Sequence, residues 1–204
     1  MKKNISLIDF GAGNLHSVYK AFKFVGASIE ITKDESIIEK SDAVVFPGVG
    51  AFGSVMKSIR ENNLESIIKK SALSGKPFLG ICVGMQVLFE SGEENPDVPG
   101  LGVFKGKVVK FKKAKKIPHI GWNDICVAHV GNGRDHSLPG GKFYFVHSYY
   151  VVPEDKNLIY ARTTYDGEEF CSSIKKDNLL AVQFHPEKSG DAGLEFLTNF
   201  VKNL

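Results

Sequence analysis

Four short apolar runs near the start, separated by stretches long enough for a helix, restrict what this chain can fold into more than any other feature of it. They are Ile5-Ser6-Leu7-Ile8-Asp9-Phe10, Ile29-Glu30-Ile31-Thr32, Ala43-Val44-Val45-Phe46 and residues 77–81. An amphipathic helix pattern over residues 15–25 lies between the first two, and the spacing of Val55, Ile59, Leu64, Ile67 and Ile68 predicts helix beyond the third. Strands separated by helices specify parallel βαβ units, whose crossovers cover both faces of a sheet. In such sheets the working site lies at the carboxyl ends of the strands. Pro47-Gly48-Val49-Gly50 and Cys82 stand at two of those ends.

From about residue 101 the pattern changes to shorter alternating segments, over residues 108–112, 123–128, 142–152, 158–163 and 170–175. These predict antiparallel strands grafted onto the parallel core. Residues 180–184 return as a buried strand, and residues 192–201 close the chain as a helix with Leu194, Leu197 and Val201 on one face. The expected fold class is α/β: one domain over residues 1–204, with a mostly parallel central sheet flanked by helices and additional antiparallel strands in the second half. A hydrophobic content of 43% is enough to fill such a core.

There is no run of eighteen or more apolar residues and no cleavage-site pattern after Met1, so the chain is expected to be soluble and cytoplasmic, with no membrane partner. Cys82, Cys126 and Cys171 have no metal-ligand spacing, and their odd number argues against a secreted disulfide framework. No metal or cofactor is expected, and Cys126 and Cys171, which lie in strand patterns, read as core residues. A net charge of +3 is too small to imply a nucleic acid partner. Lys105, Lys107, Lys110, Lys112, Lys113, Lys115 and Lys116 are interleaved with apolar residues, which predicts a hairpin with a solvated lysine face, or else a docking surface for another protein.

The chemistry centres on Gly80-Ile81-Cys82-Val83-Gly84-Met85-Gln86, which reads as a sharp strand-to-helix turn with a cysteine at its tip. The helix beyond it, over residues 85–89, would aim free N–H groups and a positive dipole end at the sulfur. His185-Pro186-Glu187 ends another core strand. In an extended segment residues two apart share a face, so these two supply a general base and the carboxylate that orients it. Glycines at the end of the Pro47-Gly48-Val49-Gly50 strand free backbone N–H groups for an oxyanion, with the N–H of Val83 as the second donor. Gly11-Ala12-Gly13-Asn14 lacks the third glycine of a dinucleotide-binding turn, and Asn14 reads as a helix-start or partner-facing residue. His16, His129 and His136 read as surface residues, whereas His119 and His147 divide between packing or a partner surface and chemistry.

The cysteine turn, the Pro-Gly-Val-Gly loop and the Phe184-His185-Pro186-Glu187-Lys188-Ser189-Gly190 tail together resemble the class I, or triad, glutamine amidotransferases. More narrowly, residues 9–15, Pro118-His119-Ile120-Gly121-Trp122-Asn123 and residues 144–150 resemble the glutaminase subunits of imidazole glycerol phosphate synthases. The resemblance implies Cys82 as nucleophile, His185 as general base and acid, and Glu187 as its orienting carboxylate. It implies oxyanion donors from Gly48, Val49, Gly50 and Val83, and glutamine held by Gln86, Ser148 and Tyr149. It further implies that ammonia is delivered to a cyclase subunit in a heterodimer, with Asn14 and Trp122 toward that partner and an activating rearrangement at Val49 and Gly50. Val83 stands where leucine is usual in the family, and Val130-Gly131-Asn132-Gly133-Arg134-Asp135-His136 fits its pattern less well. Three other readings stay open at this point: a paralogue feeding sugar amination, a cysteine hydrolase or peptidase on a related triad, and a catalytically silent binding module.

Overall fold

The computed structural model describes residues 3–11, 14–127 and 138–204. Expectations that fall on Ala12, Gly13, Ala128, His129 and residues 130–136 lie outside the described residues.

The first half alternates as its apolar runs require: β1 (Asn4–Ile8), α1 (Leu15–Phe24), β2 (Ser28–Thr32), α2 (Glu35–Lys40), β3 (Ala43–Gly48), α3 (Phe52–Glu61), α4 (Glu65–Leu73) and β4 (Phe78–Cys82). Every residue of β3 and β4 is buried, which explains why their sequences are continuous apolar runs and do not alternate. Asp34 caps α2 by accepting from the N–H groups of Ser36 and Ile37. The apolar spacing over residues 55–68 belongs to two helices, because Asn63 takes φ +57° and breaks the run between them.

The second half comprises α5 (Val83–Gln86), β5 (Phe89–Gly92), β6 (Phe104–Lys110), β7 (His119–Asp124), β8 (Cys126–Val127), β9 (Lys142–His147), β10 (Tyr149–Pro153), β11 (Ile159–Tyr165), β12 (Glu168–Lys176), β13 (Leu179–Val182) and α6 (Gly190–Lys202). The main sheet runs β2-β1-β3-β4-β13-β12-β10-β6-β5, with β11 beside β12 and β8 beside β11. Strands β2, β1, β3, β4 and β13 are parallel, and β12 and β10 then enter antiparallel. A separate two-stranded ribbon pairs β7 with β9. Helix α1 packs on α6, where Phe22 and Phe200 meet edge to face, and α2 packs on α4. Among the described residues no helix is long and apolar enough to cross a membrane.

Several local expectations are corrected. Residues 142–152 are not one strand: Ser148 breaks them, sending β9 to the ribbon and β10 to the main sheet. The helix after Cys82 is a single turn, and Phe89 begins β5. Its dipole is correspondingly small, since the macrodipole is a sum over aligned peptides. The lysine segment is no hairpin, because β6 lies between parallel β5 and antiparallel β10. Its lysines are nonetheless exposed. The loop after β6 is held by its backbone: the buried Glu168 accepts from the N–H groups of Lys112 at 2.9 Å and Lys113 at 2.6 Å, and from the Tyr150 hydroxyl at 2.8 Å. Cys126 is exposed, because it lies on a short strand paired with β11 at the margin of the sheet among the described residues, whereas Cys171 is buried. Burial pushes the Cys171 thiol up to about 12, which leaves it inert.

Candidate active site

Register brings three strand ends together. Gly48 of β3 lies opposite Cys82 of β4, and Val182 of β13 lies opposite Ile81, so the chain after β3 and the chain after β13 flank the cysteine. Cys82 takes φ 54° and ψ −113°, a conformation that costs a non-glycine residue about 1–3 kcal/mol. Neighbouring glycines make it possible. A Cβ on Gly84 would stand 2.2 Å from the Phe46 carbonyl oxygen, and one on Gly48 would stand 2.6 Å from the Gly84 nitrogen. The elbow and β3 therefore touch backbone to backbone.

His185 follows β13 and is fixed from both sides. Its N–H donates to the Tyr144 carbonyl at 2.9 Å, and the Ser189 hydroxyl donates to the His185 carbonyl at 2.6 Å while accepting from the Tyr144 N–H at 2.9 Å. Its Nδ1 lies 2.8 Å from Glu187 Oε1, and both side chains are buried. The pair does not share the face of a strand as expected: Pro186–Lys188 is a 3-10 turn that folds Glu187 back under the ring. Nε2 is buried without a hydrogen-bond partner of normal geometry, so it is free to exchange a proton with the neighbouring cysteine. Burial works to lower the pKa of His185, but the Cys82 sulfur and then Glu187 outweigh it and push it up to about 10.

Cys82 and His185 open into a cleft of about 420 Å³, the size of a small-molecule site. Val49, Gly50, Val83, Gln86, Ser148 and Tyr149 line it, as does Asn14, which stands at the start of α1 without a side-chain cap bond. Gly48 is the last residue of β3, where its missing side chain admits the elbow. Gly50 has φ +107°, a conformation open to glycine. Among the described residues no three His, Cys, Asp or Glu side chains are placed to share a metal ion.

A family model described as glutamine amidotransferase class-I matches residues 6–204. The chain belongs to the class I glutamine amidotransferase family. It is 48% identical to the imidazole glycerol phosphate synthase subunit HisH of Acinetobacter baylyi, over 97% of each chain. The same subunit of Aquifex aeolicus is 47% identical over 95% of this chain and 94% of the relative. Among solved structures, a chain in the structure of PurLQS from Thermotoga maritima superposes with TM-score 0.76 at 19% identity, covering 100% of this chain and 99% of that one, a likeness of fold.

Four further groups in this amidotransferase take roles that their motifs do not specify. Glu94 lines the cleft and accepts from the Phe52 N–H at 2.7 Å, capping α3 just beyond the Val49-Gly50 loop. Ser189 ties His185 to the ribbon, and Lys188 lies over the Tyr144 ring, 5.7 Å from its centroid. Gln183 is wholly buried beside Cys82. Gln183 leaves a signal in the sequence as an amide within an apolar run, and Lys188 and Ser189 stand in the tail motif, whereas Glu94 leaves none.

Trp122 is 61% exposed on the ribbon and meets Tyr144 edge to face. His119 and His147, by contrast, are buried and joined, Nδ1 to Nε2, at 3.1 Å. Burial pushes His119 down to about 4 and His147 down to about 3, so both are neutral in the fold. An unfolded histidine titrates near 6.5, so between that value and these the unfolded chain binds protons the fold refuses. Stability therefore falls as pH drops from about 6.5 toward 4, by up to about 1.4 kcal/mol per pH unit for each histidine. His185 acts in the opposite sense: its stabilisation is present below about 6.5 and is lost as pH rises toward 10. Urea unfolding at about pH 7 and pH 5 should show the acid-side loss, and His147→Asn should flatten it.

Proposed function

We propose that this chain is the glutaminase subunit of an imidazole glycerol phosphate synthase, hydrolysing glutamine to glutamate and ammonia as one domain over residues 1–204. The observation that carries the chemistry is the Cys82 elbow flanked by the buried His185–Glu187 pair. The sulfur attacks the side-chain carbonyl carbon of glutamine, and the resulting oxyanion is met by N–H groups of Val83 and the loop Gly48, Val49 and Gly50. The C–N bond breaks as His185 passes its proton to the departing nitrogen, leaving a thioester and free ammonia. Water then loses a proton to His185, attacks the thioester carbon, and releases glutamate with the thiolate restored. Glu187 keeps the ring oriented and stabilises its charged form. Gln86, Ser148 and Tyr149 position the amino-acid end of the substrate.

The relatives are named as subunits of a synthase, which supports a partner that consumes the ammonia. We place that partner, a cyclase subunit in a cytoplasmic heterodimer, against Asn14 and the exposed Trp122 side of the ribbon. Aromatic anchors of this kind dominate interface energies. Trp122→Ala should weaken the complex by about 2 kcal/mol, roughly thirtyfold in Kd, while the melting temperature of the isolated chain barely moves. An unchanged Kd removes Trp122 from the interface. The whole reading is tested by following glutamate release from glutamine with and without the cyclase partner. Release should rise when the partner is added; cleavage of peptides with glutamine ignored at every partner concentration overturns it.

A further inference from the structure

The amide side chains behind Cys82 form a chain whose direction is forced. The Tyr149 carbonyl can only accept, and it takes the Gln86 Nε2 at 3.0 Å and the His147 Nδ1 at 2.8 Å. That fixes the Gln86 amide with its nitrogen inward. The second hydrogen of the same nitrogen goes to Gln183 Oε1 at 2.9 Å. Rotating the Gln183 amide would set two NH₂ groups against each other, so its oxygen must face Gln86 and its nitrogen must face away. The atom it then faces is the Cys82 sulfur, at 3.6 Å. Gln183 is fully buried and Cys82 is 3% exposed, so little water competes for that contact.

We propose that Gln183 is a further catalytic residue, one whose amide N–H donates to the Cys82 sulfur, stabilises it as thiolate and holds it on its line of attack, with its orientation dictated by Gln86 and the Tyr149 carbonyl. The proposal rests on the reading of Cys82 as nucleophile. It answers a need the fold creates, because a one-turn helix supplies little dipole and the thiolate must be stabilised by individual groups. A hydrogen bond to a charged acceptor is about twice as strong as one between neutral groups. It also changes what Gln86 can offer glutamine: both hydrogens of its amide are used, so only its oxygen remains, as an acceptor for a substrate N–H.

The test reads the thiolate without glutamine. The pH dependence of iodoacetamide alkylation of Cys82 is measured in a Cys126→Ser background, which removes the exposed thiol, with Gln183 intact and as Gln183→Glu and Gln183→Leu. Gln183→Glu keeps an acceptor for Gln86 and removes the donor facing sulfur; Gln183→Leu removes the donor without adding an ionisable group. Both should raise the alkylation midpoint by about one to two pH units. In the complex both should lower kcat for glutamine more than they raise KM. An unmoved midpoint in both folded variants, or a shift in Gln183→Glu alone, which reports only its added charge, overturns the proposal. Should neither variant fold, the side-chain amide signals of Gln183 in ¹⁵N-labelled unmodified protein must move when Cys82 is alkylated, and static signals overturn it equally. Glutamate release is scored separately, so a chain that ignored glutamine yet showed the shift would refute the glutaminase reading and leave this one standing.

Discussion

Replacing Cys82 with alanine should abolish glutamine-dependent synthesis by the complex and leave synthesis from added ammonium intact. Removing the nucleophile of a triad typically costs on the order of 10⁶ in kcat, because base and orienter then have nothing to activate. The side chain is small and lies at the tip of the elbow, so its loss disturbs little packing. Ammonium bypasses the thioester entirely and needs only an open path to the partner's site. Assays with each nitrogen source on the same preparation separate the outcomes: loss of both would make Cys82 a structural residue.

Gly84→Ala is the second large effect, and it falls on the fold as well as on the rate. The new methyl would lie 2.2 Å from the Phe46 carbonyl oxygen, with the Phe46 and Pro47 carbonyl carbons at 3.2 and 3.3 Å. All three are backbone atoms of a fully buried strand, so none can swing aside. Relief requires β3 and the elbow to part, at about 3 kcal/mol or more, and parting them moves the sulfur away from the oxyanion loop. Urea unfolding and glutaminase rate should therefore fall together. Gly50→Ala gives the contrast. A Cβ there meets nothing within 4 Å and only φ +107° strains the alanine, so activity should drop while the midpoint in urea falls less than for Gly84→Ala. Equal destabilisation by the two substitutions would deny that close approach is what Gly84 provides.

The parallel core was legible because burial on both faces writes itself as unbroken apolar runs, and a glycine or nucleophile at the end of each run marks the edge where chemistry sits. β1, β3 and β4 were readable on this ground, and α1 and α6 from their apolar periodicity. The excursion between β4 and β13 was less so. Nothing in Tyr144-Phe145-Val146-His147-Ser148-Tyr149 announces that Ser148 divides two sheets, because both halves alternate in the same phase and only tertiary pairing distinguishes them. Phe89 closes the apolar run that reads as helix over residues 85–89 and instead begins a strand, because β6 is there to pair with it. His185 and Glu187 are legible as a pair from their spacing, but a 3-10 turn and not a strand face brings them together. The polar wiring behind the sulfur depends on which carbonyl meets which amide, and a sequence carries no record of that.

One feature of the topology has an evolutionary side. β4 and β13 are neighbours in the sheet although everything from β5 to β12 lies between them in the chain. The strand ends that carry cysteine and histidine are thus set by a junction the intervening excursion does not enter, so the excursion can lengthen or shorten away from Tyr144, which holds the His185 backbone, without altering the distance between them. The same fold recurs at TM-score 0.76 in a solved structure only 19% identical to this chain, so the junction holds through wide change in sequence.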